Sequence, residues 1–108
     1  MKSNESAVQH SICEYLAIKK HWFIRINNTP VFDPTRKIFR AMPKYTPKGV
    51  ADILVLRKTD GLPEVIWLEV KDKGKQSPEQ KEFARGVEEV GAEYYVVRSI
   101  IDVQELGL

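Results

Sequence analysis

Cysteine is nearly absent: Cys13 is the one thiol in 108 residues. No internal disulfide is possible, and a lone thiol cannot hold a zinc ion by itself. Histidine is almost as scarce, and His10 and His21 share no metal-ligand spacing with each other or with Cys13. No apolar run approaches the roughly 18 residues of a membrane-spanning helix. The opening MKSNESAVQH lacks the apolar stretch of a signal peptide. Internal repeats and low-complexity segments are also missing. Together these absences predict a reducing, cytoplasmic setting and no membrane partner. What remains is a chain with 43% hydrophobic and 30% charged residues, enough to bury one core, so a single domain over residues 1–108 is expected.

Charge is unevenly spread. Residues 1–58 carry 11 Lys/Arg against 4 Asp/Glu, a balance of +7, whereas residues 59–108 carry 6 against 11, a balance of −5. Seven bases (Arg36, Lys37, Arg40, Lys44, Lys48, Arg57 and Lys58) fall within 23 residues. A concentrated basic field suits a polyanionic substrate, and a solvated basic hairpin is the plainer alternative.

The periodicity predicts a first helix from about Ser3 to Lys20, capped by Ser3 or Asn4, with Val8, Ile12, Tyr15 and Leu16 on one stripe. Glu5 falls on that inward stripe and Gln9 lies one turn further along. Strands are expected at His21–Asn27 and Lys37–Met42, separated by a turn over Asn28–Pro34. Two more are expected at Val50–Arg57 and Val65–Lys71 around an Asp60-Gly61 turn. Ser77-Pro78-Glu79-Gln80 has the chemistry of a helix start, with Ser at the cap, Pro first and Gln third. That helix should stop at Gly91. Glu93–Arg98 reads as a strand and Ser99–Leu106 as a short helix. The order is αββββαβα, an α/β fold with a mixed sheet flanked by helices, in which strands 65–71 and 94–98 run parallel.

Two carboxylates stand where buried strands should be Val, Ile and Leu. Asp52 interrupts Val50–Leu56 and Glu69 interrupts Val65–Val70. An unpaired buried carboxylate costs several kcal/mol, so two on neighbouring strands suggest a cation between them. Asp52 and Glu69 supply hard oxygens for Mg²⁺ or Mn²⁺, and the Val70 carbonyl offers another. Alternation along the strand puts Lys71 on the face of Glu69, roughly 6–7 Å away, where it could orient or deprotonate a water. Glu5 could complete the shell directly or through a water. Gln80 could position Lys71 or touch a phosphate near the helix N-terminus, and Gln9 would support the ligands from behind. For both glutamines a capping or surface amide is the alternative to this functional role. Arg25 and Asn27 alternate on one strand face and could reach a nucleic-acid backbone, as could Arg36, Arg40, Lys44, Lys48, Lys73 and Lys75.

Five pieces in order resemble the virus-type replication-repair nuclease (VRR-NUC) domain of the PD-(D/E)XK nuclease superfamily. They are Glu5-x-x-x-Gln9, Lys48-Gly49-Val50-Ala51-Asp52, Glu69-Val70-Lys71, Lys75-Gln76-Ser77-Pro78-Glu79-Gln80 and Tyr95-Val96-Val97-Arg98-Ser99. The resemblance covers nearly the whole chain, and one departure is Ala51, where the superfamily often has proline. It implies a restriction-endonuclease-like core and an Mg²⁺-dependent endodeoxyribonuclease, with Mn²⁺ able to substitute. Glu5, Asp52, Glu69, Lys71 and Gln80 are its implied catalytic residues. Stand-alone members of phage or bacteria imply a homodimer acting on branched DNA, in the manner of a Holliday-junction resolvase.

Other functions compete with this one. A monomeric nicking or flap nuclease would use the same site. A non-catalytic nucleic-acid-binding module would keep the fold and lose the need for a cation. A structural ion-pair network would leave Lys71 neutralising only one carboxylate.

Overall fold

The computed structural model describes residues 4–26, 32–39 and 45–108. Among the described residues nine elements follow one another: α1 (Glu5–Ile18), β1 (Trp22–Arg25), β2 (Phe32–Asp33), β3 (Ile38–Phe39), β4 (Ile53–Thr59), β5 (Leu62–Val70), α2 (Pro78–Glu89), β6 (Glu93–Val97) and α3 (Ile100–Glu105). Four strands form a mixed sheet in the order β1-β4-β5-β6. The β1–β4 and β4–β5 pairs are antiparallel, and β5–β6 is parallel, as expected.

The expected order is corrected by one strand. Phe32–Asp33 pairs with Ile38–Phe39 in a separate two-stranded ladder. Pro34 opens the intervening turn with its fixed φ, and Lys37, expected to begin a strand, closes it at φ 56°. Ser3, Asn27, Val31, Arg40 and Lys44 lie outside the described residues, as does the second half of the strand expected over Lys37–Met42.

Helix ends follow local rules. Ser77 and Gln80 form the reciprocal capping box at the start of α2. The helix ends when Gly91 turns left-handed at φ 94°, and Ala92 donates back to Val87. The first helix is shorter than expected at both ends. Lys20 takes the same left-handed position at φ 61°, with the Lys20 amide on Ala17 and the His21 amide on Leu16. Asn4 caps the other end without a side-chain hydrogen bond.

Asp60 and Gly61, both at positive φ, form the two-residue turn joining β4 to β5. The strand therefore starts at Leu62, three residues before the expected Val65. Pro63 is tolerated inside it because β6 first pairs at Ile66, which leaves that end of β5 open on one side.

Side chains alternate across the sheet. Ile53, Val55, Ile66, Leu68, Val70 and Val97 pack with Ile12, Leu16 and Val103, so α1 and α3 cover one face. The opposite face receives α2 through an edge-on contact of Phe83 with Trp67, their centroids 5.1 Å apart. Glu69 shares the Trp67 face, and with it the core divides into an apolar half and a half that contains charge.

Candidate active site

Asp52 precedes β4 rather than lying within it, which corrects the expected strand start at Val50. Its backbone carbonyl accepts from the Ile26 amide at 2.7 Å, and its carboxylate accepts from the Val70 amide at 2.8 Å. One residue thus joins the ends of three neighbouring strands. Gly49 sets the approach of this segment. It adopts φ 80°, and a Cβ there would stand 2.4 Å from the Glu79 carbonyl group and 2.6 Å from the Gln80 nitrogen. The 48–52 segment is therefore pressed against the first turn of α2, a contact open only to glycine.

Glu69 is 2% exposed, and among the described residues its Oε1 has no hydrogen-bond partner. Burial drives its carboxyl up to about 9. The hydrogen bond and charge of Asp52 add to the rise, while Lys71 opposes it. The two carboxyls therefore meet in a space where both cannot carry charge without a cation or a shared proton. Lys71 follows the last residue of β5 and continues the ladder through its amide to the Val97 carbonyl at 3.0 Å. Its ammonium lies 3.8 Å from Glu5, which is only half-buried at the first position of α1. Asp72 anchors that helix start by accepting from the Asn4 amide at 2.7 Å.

The remaining expected site residues separate into several environments. Gln80 places its Oε1 on the Ser77 amide at 2.8 Å, so that oxygen serves the capping box. Gln9 accepts from the Arg25 guanidinium at 3.4 Å across α1 and β1. Arg25, Arg36, Lys48, Lys73 and Lys75 are exposed. Among the described residues, no group of three His, Cys, Asp or Glu is placed to hold a metal. His10 pairs with Glu14 on the surface of α1. His21 holds a buried Nε2 without a partner among the described residues, and burial pushes its pKa down. Burial likewise pushes the Cys13 thiol up, away from a reactive thiolate.

Sequence reasoning missed Tyr94. Its hydroxyl accepts from Gln76 Nε2 at 3.0 Å, and its ring lies 6.2 Å from Phe83. Burial pushes Tyr94 up to about 12; the Gln76 hydrogen bond opposes this, and the charges of Glu69 and Asp52 add to it. The alternation of Tyr94 with Val96 in a strand facing α2 was the available signal.

No family model, no curated protein and no solved structure matches this chain.

Proposed function

We propose that this chain is a metal-dependent DNA endonuclease of the VRR-NUC type, with a restriction-endonuclease-like core. The observation that carries the reading is Glu69: a buried carboxylate with an oxygen unpartnered among the described residues, set against Asp52 at the end of the sheet. Structural carboxylates in a sheet interior normally have their oxygens satisfied.

Asp52 and Glu69 fit a hard divalent cation. Mg²⁺ commonly takes one or two carboxylates and fills its other positions with water and phosphate, so a third carboxylate is unnecessary. The Val70 carbonyl at the same strand end is a further candidate donor, and Glu5 acts through water or through Lys71. Bound there, Mg²⁺ or Mn²⁺ supplies Lewis acidity toward a phosphoryl oxygen and neutralises the carboxylates. Lys71 orients the attacking water with its ammonium and offsets charge on the phosphate. The water oxygen bonds to phosphorus and releases one proton to solvent, the bond from phosphorus to one deoxyribose oxygen breaks, and that leaving oxygen takes a proton from solvent.

The exposed bases Arg25, Arg36, Lys48, Lys73 and Lys75, with Asn27, Arg40 and Lys44, form the proposed DNA contacts. A homodimer acting on branched DNA completes the reading, because one chain carries one site and paired cuts need two. Its proposed interface is the sheet face beyond α2. There Trp22, Leu56 and Val65 stand on adjacent strands in register, 55%, 36% and 38% exposed, beside Ile24. Light scattering should return a mass near twice 12.4 kDa.

The deciding experiment incubates wild-type protein and Asp52→Asn with labelled linear, flapped and four-way DNA in Mg²⁺, in Mn²⁺ and in EDTA. Cleavage by wild type in either metal, absent in EDTA and in the variant, is expected. Absence of cleavage on every substrate, or full cleavage by Asp52→Asn, overturns the assignment.

A further inference from the structure

We propose that the cavity between the 71–76 loop, α2 and the end of β6 is a binding site for a backbone phosphate of the nucleic acid. The identification of the ligand as nucleic acid rests on the nuclease reading; the anion site itself does not. The cavity, about 340 Å³, is lined by Lys75, Gln76, Lys81, Val96 and Arg98. Among the described residues, three cations and no carboxylate line it. Among the described residues, neither the Lys75 nor the Lys81 ammonium has an ion pair or hydrogen bond.

Arg98 gives the cavity a fixed donor. One arm of its guanidinium donates to the Gly74 carbonyl at 3.0 Å, which ties the loop to the strand end. Asp102 takes the Arg98 backbone amide at 2.8 Å and leaves the remaining guanidinium N–H groups available. A planar fork held in place beside two ammonium groups matches the tetrahedral oxygens of a phosphodiester.

The neighbourhood decides which end an anion occupies. An adjoining cavity of about 530 Å³ shares Gln76 and Lys81 but adds Glu88 and Glu89, together with Arg85, whose guanidinium is already paired with Glu82. Like charge repels a phosphate from that end and favours the Lys75–Arg98 end. Val96 links the cavity to the carboxylate pair, because it lines the cavity and stands opposite Glu69 in the β5–β6 register. A strand passing the catalytic carboxylates would therefore rest a flanking phosphate here. Lys81 and Arg98 are thus substrate-positioning residues.

Binding measured without metal separates this site from catalysis. Fluorescence anisotropy of a labelled duplex in EDTA over a salt series compares wild type with Lys75→Gln, Lys81→Gln and Arg98→Gln, and with Lys19→Gln as a control at the exposed C-terminal end of α1. Each cavity variant should flatten the slope of log K against log salt by about 0.9, while the control leaves it unchanged. Lys75→Gln and Lys81→Gln remove groups with no partner, so folding is preserved. Unchanged slopes in those two overturn the proposal, even where wild type cuts DNA in Mg²⁺. Flattened slopes without any cleavage keep the phosphate site and overturn the nuclease reading. Wild-type protein that fails to bind DNA overturns both, and an acidic-peptide probe would then identify a protein ligand.

Discussion

Replacing Glu69 by Gln keeps the shape of a side chain that is 2% exposed and removes its titration. In the folded chain its carboxyl is pushed up to about 9, against an ordinary value of 4.5. Between those two values the folded state holds a proton that the unfolded state releases. Stability therefore falls as pH rises through the window, by at most about 1.36 kcal/mol per unit for one proton. The penalty is absent below the unfolded value and complete above the folded one. From roughly pH 6 to pH 8 the loss comes to about 3 kcal/mol, or on the order of 10–25 °C in melting temperature for a domain of this size. Glu69→Gln needs no such proton, and its amide can donate to Asp52. The measurement is a series of urea midpoints at several pH values in EDTA, read as the difference between wild type and variant, so that His21 and other groups cancel. The variant should gain on wild type steadily as pH rises. Mg²⁺ should raise wild-type stability at the alkaline end and leave the variant nearly unchanged, because a cation replaces the proton. Parallel profiles for the two proteins would refute the reasoning, since Glu69 would then titrate alike in both states.

Asp52→Ala should cost about 1–3 kcal/mol, because the Val70 amide loses its acceptor. Asp52→Asn retains a carbonyl oxygen and should melt above the alanine variant, while both lose cleavage by roughly 100-fold or more; equal melting of the two would remove the structural role of that hydrogen bond. Lys71→Met should slow single-turnover cleavage by about 100-fold at saturating enzyme with little change in DNA affinity in EDTA, and an unchanged rate would reduce Lys71 to a partner of Glu5. Gly49→Ala places a methyl group 2.4 Å from the Glu79 backbone at φ 80°. It should destabilise by at least about 2 kcal/mol in urea titration, and a loss under about 0.5 would show that the segment yields freely.

Much of the fold was legible where signals are local. Ser77-Pro78-Glu79-Gln80 carries its own capping chemistry, Asp60-Gly61 its own turn, and Gly91 its own helix stop. The parallel pairing of β5 with β6 follows from the helix between them. Less legible were features that depend on distant partners. Asp52 reads as an interruption within a strand, yet the Ile26 and Val70 amides fix it just outside one. Asparagine-rich sequence after β1 hides the short β2–β3 ladder, whose two rungs carry too little periodicity to register. Gly49 looked like part of a motif, and only the packing of α2 shows that a side chain has no room there. Gln80 satisfied two patterns at once, and the cap claims its oxygen. The cations of the 340 Å³ cavity come from a loop, a helix and a strand end, so no window of sequence contains them together.

The two-residue turn at Asp60-Gly61 also has a kinetic consequence. From Thr59 and Leu62 the β4–β5 ladder runs rung by rung to Ile53 and Leu68, and Asp52 and Glu69 lie at the far end. Local contacts close first, so the hairpin zips from the turn toward the carboxylates and meets their repulsion last. Charge at Glu69 then bears on a late step. A substitution there should alter the unfolding rate far more than the folding rate, whereas changes beside the turn should do the reverse. The chain can thus fold quickly while carrying an electrostatic conflict, because that conflict is met only after the rest of the hairpin is in place.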